Sequence, residues 1–297
     1  MKNLKLKIDK TKCIQCGRCI QDCSCYVLEF DECKIPKIAE GGESRCMECQ
    51  HCLAVCPTGA LSILGVNPDK SLNIEKDHHP ENVLNLIQSR KSIRHFKQEN
   101  LDKENLNKLK DMLPWIPTGC NDHRMLFTFI DDIDAMEKFK NKTYDKLKYV
   151  YKQRPFPIEA TKFLRFKELI LSGKDPIFRN APHMVVVSSP VDAPCADVDP
   201  VIALSYFELY AQALGVGTVW CGLVQGCLNL FPELVSELKV PEGYKPVYCM
   251  LFGVPNIQYK RITQPKKYKI MSYPKKLAKF CAFLKKIKVS VINYIKK

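Results

Sequence analysis

Cys13-Ile14-Gln15-Cys16-Gly17-Arg18-Cys19-Ile20-Gln21-Asp22-Cys23 and Cys46-Met47-Glu48-Cys49-Gln50-His51-Cys52-Leu53-Ala54-Val55-Cys56-Pro57 carry one spacing twice, C-x2-C-x2-C-x3-C. A spacing that recurs this closely is an internal repeat. Three thiolates two residues apart can wrap three irons of a cubane, while the fourth, on the short helix that follows, points away toward the other half. The alternatives are zinc sites or coincidental buried cysteines. Zinc ribbons, however, use two well-separated CxxC pairs rather than four close cysteines repeated twice. Each half also reads as a strand, a ligand loop and a short helix, with KLKID before the first set and ALSIL after the second.

The repeat resembles the bacterial-type two-cluster ferredoxins, over residues 1–66. That resemblance implies two 4Fe-4S clusters, with Cys13, Cys16, Cys19 and Cys56 on one and Cys46, Cys49, Cys52 and Cys23 on the other. There are two departures. Ser24 follows Cys23 where the family usually has proline, which bears on the surroundings and potential of that cluster more than on its ligation. Cys25 and Cys33 lie outside the pattern, and Cys25 is either a competing ligand or a spectator thiol.

Outward from the repeat, residues 67–80 are polar, hold two prolines in the stretch GVNPDKSLNIEKDHHP and show no periodicity, so they read as a linker. Beyond it, helical periods occur at 81–91 (Val83, Leu84, Ile87), 102–113 (Leu106, Leu109, Met112, Leu113), 158–172 and 199–215. Strand-like runs lie between them at LFTFI (126–130), HMVVVSS (183–189), GTVW (217–220) and PVYCMLFG (246–253). This alternation predicts an α+β domain over 81–273.

Within that domain, Arg90-Lys91-Ser92-Ile93-Arg94 resembles the box that opens the nitroreductase family of flavoproteins. Further segments follow in the family's order: Pro117-Thr118-Gly119-Cys120-Asn121, Arg179-Asn180-Ala181-Pro182, Gly215-Val216-Gly217-Thr218-Val219-Trp220, and Gly253-Val254-Pro255 with Lys260 and Arg261. The resemblance implies FMN held by Arg90, Lys91, Ser92, Arg94, Asn121, Gly217, Thr218, Lys260 and Arg261, at the interface of a homodimer. The residue types suit that cofactor. Guanidinium, hydroxyl and ammonium donors match phosphate oxygens, Asn121 offers a donor and an acceptor to a ring edge, and Gly217 permits close backbone approach. No side chain is expected to act as a catalytic acid or base, because the cofactor carries the chemistry. Nitroaromatics and quinones fit the implied acceptors.

Composition sets the remaining bounds. The 297 residues, 46% hydrophobic and 26% charged, are ordinary for globular protein. Ten of 16 cysteines precede residue 60, and the N-terminal MKNLKLKIDKTK has no apolar h-region. A reducing cytoplasmic location without disulfides is therefore expected. No apolar run approaches the length of about 20 residues that spans a bilayer. The net charge of +14 has one source: Glu242 is the last acidic residue, and fourteen Lys and Arg follow Gly243. Residues 274–297 place Leu277, Phe280, Cys281, Leu284, Ile287, Val291 and Ile295 on one helical stripe, interrupted by Lys288. Such a basic helix packs on the domain or its dimer mate, lies on an anionic membrane surface, or docks an acidic electron carrier.

His78 and His79 lack a second ligand pair and are expected to be solvated. Cys195, Cys221, Cys227 and Cys249 are expected as small core hydrophobes, while Cys120, beside Asn121, stays open. No Ser-His-Asp ordering and no GxGxxG after a strand supports a hydrolase or a separate dinucleotide domain, and no nucleic-acid partner is expected. Together these features predict an oxidoreductase in which reduced ferredoxin or another low-potential donor, with NAD(P)H as an alternative, supplies electrons through two clusters to FMN and a small electron-poor acceptor. The alternatives are a non-enzymatic redox sensor or electron-transfer module, and a same-fold reductase of different chemistry such as dehalogenation or flavin remodelling.

Overall fold

The computed structural model describes residues 2–75 and 77–273. The basic stretch 274–297, expected as an amphipathic helix, lies outside the described residues. Residues through Lys260 form one compact unit and Arg261 opens a second. Of that second unit, residues 261–273 are exposed and carry neither helix nor strand.

The cysteine repeat holds down to single dihedrals. Gln15, Gly17 and Tyr26 have positive φ (55°, 69°, 51°), as do the residues at the same places of the second half, Glu48, Gln50 and Gly59 (58°, 59°, 62°). Left-handed turns between ligands let the chain wrap a central object. Thiol contacts repeat as well: Cys23 Sγ accepts from Val27 N–H at 3.4 Å, and Cys56 Sγ from Ala60 N–H at 3.3 Å.

Each ligand loop leads into a short helix, α1 (Arg18–Gln21) in the first half. The first half continues as a hairpin of β2 (Leu28–Phe30) and β3 (Pro36–Ile38), which follows β1 (Lys7–Ile8) in the chain. Helix α2 (Gly42–Arg45) then leads to the second ligand loop and α3 (His51–Ala54). Strand β4 (Leu61–Ser62) closes the domain by pairing antiparallel with β1. Its small core comprises Leu4, Val27, Leu28, Leu53, Leu61 and Ile63, with Cys19.

After the linker come α4 (Pro80–Ser89), α5 (Lys103–Asp111), β5 (Leu126–Ile130), α6 (Ile133–Val150), α7 (Lys167–Leu171), β6 (His183–Pro190), α8 (Asp199–Ala213), β7 (Gly217–Trp220), α9 (Gly222–Leu230), α10 (Pro232–Glu237) and β8 (Tyr244–Gly253). The sheet order is β5-β6-β8-β7, with every neighbouring pair antiparallel. All eight residues of β6 are buried, so both faces of this central strand must be covered. Met184 and Val186 face one core with Phe139 and Leu147 of α6 and Val224 and Cys227 of α9. Val185 and Val187 face the other with Leu109 of α5 and Leu204 and Phe207 of α8. The two-residue period of a strand thus sorts one apolar run into two cores, and the second domain is a sheet between two helical layers.

The expected strands match the structure closely, but the helices differ in three places. Helix α6 has no counterpart among the expected helices, although Met136, Phe139, Thr143, Tyr144, Leu147 and Val150 make a clear buried stripe and Asp132 caps it by accepting from Ala135 N–H at 2.9 Å. The helix expected over 158–172 is split: Ile158–Phe166 winds as a 3-10 helix and only Lys167–Leu171 is α, the break falling at Phe166 (φ −107°, ψ 0°). Short helices α9 and α10 follow β7 in a stretch without an expected helix. Among the described residues, no helix is long and apolar enough to cross a membrane.

Candidate cofactor sites and their junction

Cys13, Cys16, Cys19 and Cys56 line one cavity and Cys23, Cys46, Cys49 and Cys52 line another, the crossed pairing that the ferredoxin resemblance implies. Among the described residues, no three His, Cys, Asp or Glu side chains converge on a single metal-ion position. Four thiols spread around a cavity instead suit a polynuclear cluster and not a tetrahedral zinc ion. Burial pushes the free Cys52 thiol up to about 12 and also raises Cys19 and Cys46. Cys56 runs the other way: burial opposes it, but backbone N–H groups and the hydroxyl of Thr58 favour the thiolate, and its acidity rises. Ligation must therefore displace protons from thiols that burial keeps protonated.

Cys25 borders the second cavity without belonging to either set of four, and its carbonyl, with that of Tyr26, receives Arg45 (3.1 and 2.8 Å). Cys33 is exposed, and its carbonyl accepts from Gln15 Nε2 at 3.2 Å.

The second cavity is where the domains meet. Its volume is about 600 Å³, and residues 114–118, 120, 121 and 123 form the wall opposite the cysteines. That wall is fixed from both sides. Gly119 N–H donates to both carboxylate oxygens of buried Asp199 at the start of α8 (3.1 and 3.0 Å), and Asn121 Nδ2 donates to Met47 O inside the second ligand loop at 3.1 Å. Only glycine fits at 119, because a Cβ there would collide with Cys195. Cys120, Asn121 and His123 all adopt left-handed backbone (φ 54°, 56°, 48°), a concentration of uncommon conformations that the two anchors hold in place. Asn121 Oδ1 lies 2.9 Å from His123 Nε2. The side chain expected to face the flavin ring edge thus already has a partner on each of its polar atoms.

A second constellation forms on β7, an edge strand. Ser92 pairs with Thr218 in a parallel bridge, and Ile93 N–H donates to Thr218 O at 2.8 Å. Buried Glu208 of α8 ties both flanks together, accepting from Arg90 Nη1 and from Trp220 Nε1, each at 3.0 Å. Among the described residues, the Nε and Nη2 groups of Arg90 make no hydrogen bond and its side chain is 34% exposed, so donors remain for an anion. At Gly217 the space a Cβ would take is filled by Ile93.

Residues 87–254 match the nitroreductase family, and residues 12–60 match the 4Fe-4S dicluster domain. This chain belongs to the nitroreductase family. An uncharacterized ferredoxin of Methanocaldococcus jannaschii is 33% identical over 67 residues, 23% of this chain and 87% of that protein. A nitroreductase with bound FMN from Desulfitobacterium hafniense DCB-2 superimposes with a TM-score of 0.52 at 26% identity, covering 65% of this chain and 98% of that one. A nitroreductase with bound FMN from Bacteroides fragilis NCTC 9343 shares the fold (TM-score 0.51, 21% identity, 64% and 98% covered).

On this nitroreductase fold, the expected cofactor residues divide. Arg90, Ser92, Gly217 and Thr218 come together on β7. Lys91 is occupied elsewhere, its ammonium donating to the carbonyls of Gln88, Ser89 and Arg90 at the end of α4 (3.1–3.3 Å). Arg94 donates to Ser92 O at 3.3 Å and lines a separate open pocket with Arg179 and Asn256. Lys260 is exposed and donates to Gln258 at 2.9 Å, and Arg261 belongs to the second unit. Glu208 and Asp199 carry no motif in the sequence, and Met47 is only a spacer position of the second cysteine motif. Only their burial or their hydrogen bonds reveal them. Cys221, Cys227 and Cys249 are buried core thiols, whereas Cys195 is partly exposed against Gly119.

Proposed function

We propose that this nitroreductase is an FMN-dependent oxidoreductase that takes electrons from a low-potential donor, moves them through two 4Fe-4S clusters to the flavin, and reduces an electron-poor acceptor of the nitro or quinone type. When bound, the clusters supply one-electron steps and the flavin converts them to two-electron chemistry. The observation that carries this reading is the shared cavity, because ligand cysteines of the first domain and the 114–123 loop of the second form opposite walls of one space. A free-standing carrier has no need of such a wall.

The residues present suit these groups. Arg90, with two donor groups left over after Glu208, and Ser92 would receive the phosphate. Glu208 sets the Arg90 fork and keeps Trp220 in register with it. Asp199 holds the loop around Cys120 from below. With no side chain assigned as acid or base, the protons for the acceptor come from water.

The functional form is a homodimer. Val83, Leu84 and Ile87 on α4, and Val201, Tyr206 and Tyr210 on α8, are large apolar or aromatic side chains left 37–53% exposed on two helices that pack together, a patch suited to a two-fold partner. A reducing cytoplasm suits eight ligand thiols.

Iron and flavin analysis of anaerobically purified protein, followed by anaerobic stopped-flow mixing with reduced ferredoxin or NAD(P)H, tests the proposal. Eight irons and one FMN per chain, with flavin bleaching faster from ferredoxin, are expected. Fast bleaching by NAD(P)H in protein stripped of clusters would overturn the role given to them. Absence of turnover with every nitro and quinone acceptor would favour a sensor.

A further inference from the structure

The two cysteine sets are built alike and open on different surroundings. Cys13, Cys16, Cys19 and Cys56 border a cavity of about 20 Å³ walled by their own domain, its last lining residue being Leu61. Cys23, Cys46, Cys49 and Cys52 border the cavity of about 600 Å³ whose opposite wall belongs to the nitroreductase domain. Identical ligand spacing calls for clusters of the same size, so the second set faces room toward the other domain that the first set lacks. The far wall is also anchored at two points, by Asp199 below and by the Asn121–Met47 bond across the gap. Asparagine suits that place for two reasons. It tolerates the left-handed φ of 56°, and its amide offers a donor to Met47 while presenting an acceptor to His123.

We propose that the cluster held by Cys23, Cys46, Cys49 and Cys52 is the one that delivers electrons to the flavin, and that Asn121 is the positioning residue that fixes the gap they cross. The cluster held by Cys13, Cys16, Cys19 and Cys56 is then the one on the donor side, beside exposed Ile14 and Cys16. This rests on the functional reading above. In each crossing the reduced cluster on the Cys46 side loses one electron and the flavin gains it. The external low-potential donor replaces that electron through the other cluster. Two crossings, with two protons from water, convert one quinone to its hydroquinone.

The test uses holoprotein: wild type, Asn121→Leu, and Asn121→Gln as the conservative variant. Cys16→Ser and Cys49→Ser assign the EPR signals of the two clusters. After flash photoreduction, Asn121→Leu should slow internal transfer to the flavin by about ten-fold or more, and Asn121→Gln should recover part of the rate. The EPR signal that moves in Cys49→Ser should also change in Asn121→Leu, while the signal that moves in Cys16→Ser should not. A wild-type rate in Asn121→Leu, or a change confined to the Cys16-assigned signal, overturns the proposal.

Wild-type protein gives an answer even if that variant fails to fold. In pulsed EPR, a flavin radical should speed the relaxation of the Cys49-assigned signal more than that of the other, and the reverse order rejects the assignment. Wild-type protein without flavin, or without internal transfer to it, breaks the functional reading instead, so the two failures are separable.

Discussion

The two halves of this nitroreductase-family chain hold themselves together by different means. In residues 2–66 the apolar core is small, the strands run two or three residues, and many turns rely on left-handed backbone around cysteines. In residues 81–260 a fully buried strand separates two large cores. A domain as small as the first needs a staple, and the iron-sulfur chemistry of a 4Fe-4S dicluster domain supplies one. One chain therefore has a half whose stability is tied to iron and a half whose stability is tied to packing.

Removing the iron breaks that contrast most severely. Metal binding to a site that does not preexist in the unfolded chain is folding free energy, on the order of 10 kcal/mol for structural metal sites. Anaerobic chelation should abolish amide-exchange protection in 2–66, while 81–260 keeps a cooperative urea transition. Retention of protected amides at Leu28 and Leu61 after iron loss would show that the first core is sufficient alone.

The opposite perturbation targets packing. Phe178 is fully buried and meets Phe139 and Tyr144 edge to face, with centroids 6.3 and 5.8 Å apart. Phe178→Ala should cost about 3–5 kcal/mol of the second domain's stability, with cluster content unchanged. Loss of iron from that variant would mean that the halves are not energetically separate.

The same contrast explains which features are legible in the sequence. Cysteine spacing marks the two ligand loops in the chain itself, whereas the crossed sets, with Cys56 joining Cys13 and Cys23 joining Cys46, come from the resemblance to two-cluster ferredoxins. Strands of the second domain are legible too, because β6 and β8 are dense runs of Val, Met, Leu and Phe. Helix α6 is hidden because lysines and acids crowd its outer face and dilute the stripe of Met136, Phe139 and Leu147. The functional residues that stay hidden are those whose role depends on distant partners. Glu208 reads as one acid in a helix until Arg90 and Trp220, from two other segments, close on it. Gly217 and Ile93 show the same, for both sit in recognisable motifs but neither motif records their contact.

A smaller effect sharpens the β7 site. Glu208→Gln keeps an acceptor for Trp220 and removes the charge that orients Arg90. Burial of the carboxylate makes the loss felt, while the one-third exposure of Arg90 limits it through solvent screening. About 1–2 kcal/mol of stability should be lost, and FMN affinity, read by fluorescence titration, should fall by about ten-fold if the Arg90 fork receives the phosphate. Unchanged affinity would assign Arg90 a structural role only.

The smallest effect is a proton, and it too belongs to the packed half alone. His183 opens β6 with no exposed surface, its Nε2 accepting from Leu101 N–H at 2.8 Å and its ring beside Phe252. Burial lowers its pKa below the ordinary 6.5, with Asp131 and Asp132 opposing in part. The folded state thus holds neutral His183 while the unfolded chain takes up a proton below pH 6.5. Stability from this group is complete above that pH and declines as the pH falls toward the lower folded pKa, by at most about 1.4 kcal/mol per pH unit. Most carboxylates remain ionised between pH 6.5 and 5, so the histidine is the titrating group to watch there. Urea midpoints of the second domain should fall over that interval in the wild type and stay flat in His183→Gln. An equal slope in both proteins would move the acid sensitivity to another group.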